Sequence, residues 1–265
     1  MLFRGILPYG AALLGVASIQ AQVGFNGNYA ENFDGMGPTG TELPEGWSAL
    51  RHAGSGTLGA ALTPGITSGT ATGGGVYNTG ATGDADRALG VLASSSTVPA
   101  FGLQLVNLTG AMVDQVTLSG VMEQWRTGSS ATLAESVLFE YSLNAAGIGD
   151  AGALWTPFPG MDLAERVTSS TSAGAIDGNL PENQWALSGL LDGLNWAHQD
   201  VLTFRWSDAD HTGSDGLYAL DNLNVQASIA PVPEPAGVGS FAVGLAALWA
   251  WRRRFERPAP PSRVG

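Results

Sequence analysis

Two sets of carboxylates in this chain have spacings that suit a hard cation. In "NYAENFDG", residues 28–35, Glu31 keeps the phase of Tyr29 and Phe33. In "LDNLNVQASI", residues 220–229, Asp221 keeps the phase of Leu223, Val225, Ala227 and Ile229. A strand turns alternate residues to opposite faces, so each acid is expected on the apolar side of its strand. A carboxylate there is strongly unfavourable without a cation, a cluster of donors or protonation. Calcium takes several oxygen ligands at ~2.3–2.6 Å, and Asp34 with nearby backbone carbonyls would complete a shell around Glu31 and Asp221. Capping of strand-end amides, or an arginine partner, would meet the same need. "SDADHTGSDG", residues 207–216, offers a second oxygen set in Asp208, Asp210, Thr212 and Asp215. It follows an EF-type calcium loop at its first and third positions and at Gly213, with Ala219 where the bidentate Glu would stand. An Asp-Gly turn is the other reading of that loop.

Nucleophilic and zinc chemistry find little support. His52, His198 and His211 are scattered, with no HExxH and no His-x-His pair. A G-x-S-x-G elbow and a cysteine nucleophile are both absent. Gly73, Gly74 and Gly75 lack the Lys-Ser/Thr of a phosphate-cradling loop. Glu123, Glu135 and Glu140 could lie across a groove as a pair for glycosidic cleavage, yet 21 acids between residues 22 and 232 make some pair almost unavoidable. Trp125, between Gln124 and Arg126, and Trp185, after "PENQ", stand among polar residues where an indole could stack on a sugar. A place in a sandwich core is the alternative for both. Trp206 shares the phase of Leu202 and Phe204 and is expected in the core. Arg87, Arg126 and Arg205 are expected to pair with internal acids such as Glu123.

The elements that would hold these residues read as strands. Phe101, Leu103 and Leu105 alternate with Gly102, Gln104 and Val106; Val137, Phe139, Tyr141 and Leu143 do so with Leu138, Glu140 and Ser142. Leu202, Phe204 and Trp206 repeat the pattern. A period of two marks antiparallel strands with one buried face. No long helical period competes, and 38 glycines gather in turn-rich stretches such as "TSGTATGGGVYNTGATGDAD". Many short strands with such connections predict an all-β antiparallel β-sandwich, a jelly roll at this length, over residues 22–230. Residues 22–232 carry 5 Arg against 21 Asp and Glu, a net charge of −16 that opposes binding to nucleic-acid phosphates. With no cysteine, the domain must hold by packing, or by metal, and not by disulfides.

Both ends differ from this middle. "MLFRGILPYGAALLGVASIQAQ" has a charge at Arg4, an apolar stretch from Ala11 to Ala17 and small residues near Ala21, the layout of a signal peptide over residues 1–21. Residues 236–251 are apolar all round except Ser240, long enough for roughly 24 Å of helix, and are read as a single C-terminal transmembrane helix. Trp249 and Trp251 stand where an interfacial belt would lie, and Arg252, Arg253, Arg254 and Arg257 would hold the cytoplasmic side. Residues 258–265 are expected to be a disordered tail.

The tail carries a family resemblance. Val232-Pro233-Glu234-Pro235, a short span and the cluster Arg252, Arg253, Arg254 resemble the PEP-CTERM sorting signal of Gram-negative bacteria, here residues 231–257. The resemblance implies processing by exosortase at Pro233-Glu234-Pro235, a transient stay in the inner membrane, and a destination at the cell surface or in the exopolysaccharide matrix. In order along the chain, "RALG", "FGLQLVN", "EQWR", "FRWSDAD" and "ALDNLNV" resemble a jelly-roll domain recurrent in secreted bacterial proteins. That likeness implies a fold and encourages a glycan-binding role; calcium-binding jelly-roll modules of this sort use acids of their terminal strands. The expectation is a secreted, surface-sorted, non-enzymatic component that binds glycan or matrix. The alternative is an extracellular hydrolase of polysaccharide or nucleic acid.

Overall fold

The computed structural model describes residues 22–129, 135–168 and 172–228. The chain divides into two units, 1–229 and 230–265, and every described residue belongs to the first. The expected signal peptide, the Pro233-Glu234-Pro235 motif, the apolar span and Arg252–Arg254 lie outside the described residues. Among the described residues no helix is long and apolar enough to cross a membrane.

The alternating segments form strands, as their period requires. In chain order these are β1 (Val23–Phe25), β2 (Asn28–Glu31), β3 (Trp47–Ala53), β4 (Gly65–Thr67), β5 (Gly75–Thr79), β6 (Ala88–Leu92) and β7 (Val98–Asn107). There follow β8 (Gln115–Thr127), β9 (Ser136–Ser142), β10 (Thr156–Pro157), β11 (Leu163–Ala164) and β12 (Gly174–Ala175). The last three are β13 (Gln184–Leu191), β14 (Val201–Ser207) and β15 (Leu217–Ser228). Helix is confined, among the described residues, to 3-10 turns at Asp34–Met36, Pro159–Met161 and Pro181–Asn183.

One sheet centres on β7, β14 and β9, with β1 and β3 pairing β7 and with β10 and β11 pairing β9. The other runs β8, β15, β6, β5, β4, with β12 and β13 pairing β8 and with β2 pairing β15. The long strands β7, β8, β9, β13, β14 and β15 fall alternately in the two sheets. The architecture is thus an all-β sandwich, and one apolar cluster drawn from both sheets fills it. Trp206 lies at the centre of its aromatic part, stacked on Phe101 at 5.4 Å between ring centroids and tilted against Phe139 at 4.6 Å. Its indole N–H donates to the Met161 carbonyl at 2.9 Å, which satisfies the one polar atom that this burial would otherwise strand.

Two departures from simple alternation matter for the site. In β7 and β14 both faces are buried: Gln104, Thr203 and Arg205 point away from the core and are still covered. Over Arg205 the cover is the 143–155 segment, whose Ile148 packs with Leu50 and Ala100 and accepts from the Arg205 guanidinium at 3.0 Å. The second departure is in β15, where the register with β8 slips between Asp221 and Asn224. Asn222 takes a left-handed φ of 51° at that bulge, a conformation asparagine tolerates better than most residues. The extra residue reverses the phase. Leu223 and Val225 face the core, as do Tyr218 and Leu220, but Asp221 shares the opposite face with Leu217 and Ala219. The common face expected for Asp221, Leu223 and Val225 is therefore not formed.

Candidate functional site

The buried acids form two groups. The first lies on the side of the eight-stranded sheet away from the core. Glu123 pairs with Ala219 and Asp221 with Val121, so the two carboxylates are diagonal neighbours across β8 and β15. Glu123 is only 1% exposed; it accepts from the Trp125 indole and from the Gln184 amide, each at 2.9 Å. Burial, with Asp221 and Asp86 adding like charge, pushes its carboxyl up to about 8 against those two donors. Asp221 is pushed up to about 7, by burial first and then by Asp86 and Asp34. Arg87, expected to pair with such acids, gives its Nε and Nη2 to Asn78 instead, and the direct guanidinium–carboxylate pair among the described residues is Arg205–Glu140 at 2.6 Å.

The acids expected to share calcium each have local donors. Glu31 accepts from the Phe33 amide, Asp34 from the Arg87 amide and the Asn32 side chain, and Asp221 from the Asn222 amide and side chain. β2 does pair with β15, bringing Glu31 opposite Leu223, but the bulge turns Asp221 to the other face. The three acids do not converge as a group of ligand atoms. Strand-end and loop capping is what the sequence's alternative supplied.

Trp125 is a correction. It is fully buried, so it has no face for a sugar. It is the extra residue of a second register shift, where Leu217 pairs with Arg126 and Tyr218 with Gln124. Segments around Gly69 and Gly178 close over it. Gly69 has a φ of 91°, and a Cβ there would come within 2.0 Å of the Trp125 carbonyl oxygen. Trp185 is half-buried and packs against the main core. Glu123, Glu135 and Glu140 occupy three separate environments and do not face one another across a groove: Glu123 is bonded to Trp125 and Gln184, Glu135 to Gly216 and Tyr218, and Glu140 to Arg205.

The second group surrounds the loop between β14 and β15. Asp208 and Asp215 are buried there while Asp210 and Thr212 are exposed, so the residues do not wrap one centre in the manner of an EF-type loop. Asp215 instead meets two residues that local spacing did not suggest. Donor atoms of Glu135, His211 and Asp215 all lie within 4.8 Å of one another, the one such group of three among the described residues. Glu135 accepts from the Gly216 amide at 2.6 Å and from the Tyr218 hydroxyl at 3.0 Å. Burial, then the Glu135 charge, pushes Asp215 up to about 7. Tyr218 is raised by burial and by the same carboxylate. Nothing in the sequence near residue 215 signals Glu135, because a sheet, and not a motif, joins them.

Beside this group opens a recess of about 320 Å³. Thr72, Ser94, Ser95 and Arg126 line one part, and Asp210, His211, Ser214 and Asp215 the other. Among the described residues no Phe, Tyr or Trp lines it, and its hydroxyls, guanidinium and carboxylates offer hydrogen bonds to a ligand.

The sequence of the tail matches a known motif: residues 231–254 fit the PEP-CTERM protein-sorting motif, which implies processing by exosortase, export and sorting to the surface. No curated protein matches the chain. Among solved structures, it is similar to the CBM22-1 xylan-binding domain of Paenibacillus barcinonensis Xyn10C, with 13% identity over 76% of this chain and 94% of that one and a TM-score of 0.36. It is also similar to the K3 cleaved adhesin domain of Lys-gingipain from Porphyromonas gingivalis, with 12% identity over 75% and 97% and a TM-score of 0.43. A family 22 carbohydrate-binding module of Clostridium thermocellum Xyn10B gives 13% identity over 78% and 98%, with a TM-score of 0.39. At these scores no ligand or activity passes from those proteins to this chain.

Proposed function

We propose that this chain is an exported β-sandwich of a Gram-negative surface, freed from the inner membrane by exosortase, that binds a carbohydrate of the surrounding matrix without turning it over. The observation that carries the reading is the sorting motif over residues 231–254, which supports export and sorting of the folded part to the surface. The recess supports the ligand class. Its volume is at the small end for ligand sites and suits one or two sugar rings. Hydroxyls, a guanidinium and carboxylates offer donors and acceptors to a polyhydroxylated ligand. The strongly acidic composition of the sorted part favours a neutral or cationic glycan over a polyanion. The dispersal of Glu123, Glu135 and Glu140 favours binding over glycosidic cleavage by that set, since cleavage needs two carboxyl groups across one bond.

The test is retention of polysaccharides by the full chain, read together with the release of reducing ends. Retention should occur without release, and Arg126→Ala combined with Asp210→Ala should weaken it at least tenfold. Release that disappears on changing a single carboxylate would replace the binding reading with the hydrolase. A chain that retains no glycan would leave a purely structural role.

A further inference from the structure

The loop that joins β14 and β15 closes over more buried acid than its hydrogen bonds can compensate. Glu135, Glu165, Asp208 and Asp215 are 3%, 8%, 8% and 6% exposed, and His211 is the basic side chain among them. Part of the need is met from the backbone. Glu135 accepts from Gly216, Asp215 accepts from the His211 amide, and Asp208 takes the Ala209 amide at 2.8 Å through Oδ1. Oδ2 of Asp208 and Oε1 of Glu165 are buried with no hydrogen-bond partner, and so is Nδ1 of His211. These orphaned atoms belong to side chains gathered at one place. After burial, the charges that raise Asp208 are those of Asp215, Glu135 and Asp210, and those acting on Glu165 include Glu135 and His211. Four buried carboxylates around one imidazole are favoured by added positive charge, which a bound cation would supply in place of protons.

We propose that Glu135, His211 and Asp215 bind one divalent transition cation, zinc fitting the donors best, with the orphaned carboxylate oxygens of Asp208 and Glu165 turned towards it. Two ligands at ~2.0–2.2 Å from a common ion lie at most about 4.4 Å apart, close to the spread of these donor atoms. An imidazole nitrogen in the set favours zinc over calcium or magnesium, which prefer oxygen alone. The site is also reachable. His211 and Asp215 both line the recess, so an ion would enter from solvent and keep a position open towards it. The residues come from β9's approach, from the β14–β15 loop and from beside β11, so the ion would tie together segments that are distant in sequence. This differs from the calcium loop expected within residues 208–215, and it does not depend on any glycan in the recess.

The experiment uses the full chain in detergent, carrying no histidine tag and stripped with a chelator, then titrated with zinc or calcium chloride in the absence of glycan. Calorimetry should give one zinc per chain. A hundredfold excess over Kd should raise Tm by roughly 5–10 °C. Cobalt(II) in its place should show visible d–d absorption that zinc displaces. His211→Gln and Asp215→Asn should each weaken zinc at least tenfold, while the exposed His198→Gln leaves it unchanged. If Asp215→Asn does not fold, His211→Gln, which alters a half-exposed side chain, still decides the matter. The proposal is overturned by no stoichiometric zinc, by calcium stabilising as much as zinc with His211→Gln silent, or by equal losses in the His211 and His198 variants. Glycan retention is measured separately, so failure of either idea leaves the other standing.

Discussion

Replacing Glu123 with glutamine should remove one large share of the fall in stability that the buried acids are expected to cause between mildly acidic and alkaline pH. In the folded chain Glu123 is pushed up to about 8 from a reference of 4.5, with burial as the main cause. Its folded-state pKa is thus raised, so the native state holds a proton that the unfolded chain has already released. Stability is full below about pH 4.5, declines as pH rises through the window from about 4.5 to about 8, and levels off above it. At 1.36 kcal/mol for each unit, the separation corresponds to roughly 3–5 kcal/mol, and the 1% exposure of the residue calls for no discount for solvent screening. A protonated glutamate and a glutamine are close in shape, and each leaves one good acceptor for Trp125 Nε1 or Gln184 Nε2. Glu123→Gln should therefore match the parent at pH 5 within about 1 kcal/mol and exceed it by roughly 3–5 kcal/mol at pH 9. Asp221 and Asp215, each pushed up to about 7, would leave a residual slope, of which Asp221→Asn removes only the Asp221 share. The assay is urea unfolding followed by tryptophan fluorescence across that pH range, with a chelator present. A variant that is equally destabilised at pH 5 and pH 9 would refute the reasoning, because Glu123 would then be ionised and favourably held.

Two further outcomes follow from other parts of the chain. Glu140→Gln leaves Arg205 buried between Trp155, 3.7 Å from its guanidinium, and the Ile148 carbonyl without its 2.6 Å counter-ion; stability should fall by about 3 kcal/mol, read from the urea midpoint, and Arg205→Met in the same chain should recover part of it. Changing Pro233, Glu234 and Pro235 to alanine should hold full-length protein in the inner membrane, whereas the parent in an exosortase-bearing host should lose its last ~30 residues, the size of the motif-bearing tail. Mass spectrometry of the mature C-terminus decides this, and an intact Arg252–Arg254 cluster in surface protein would count against it.

What the sequence determined by itself is what depends on local order. The two-residue period placed Phe101, Leu103, Phe139, Phe204 and Trp206 in one core, because a strand has no other way to sort its faces. The tail was legible for the same reason: a tripeptide, an apolar run and an arginine cluster are read in line, without folding. Tertiary structure decided everything that rests on which strands meet. One left-handed residue, Asn222, moved Asp221 off the face that its phase assigned it, and no period can register a bulge. Trp125 stands among polar neighbours in sequence yet is fully buried, since segments from residues 69 and 178 cover it. His211 and Asp215 share one loop, but Glu135 and Glu165 are far from it along the chain. They meet because β9, β11 and the β14–β15 loop end at the same place, and side-chain chemistry at a sheet's end is set by pairing across the sheet, which sequence spacing does not record.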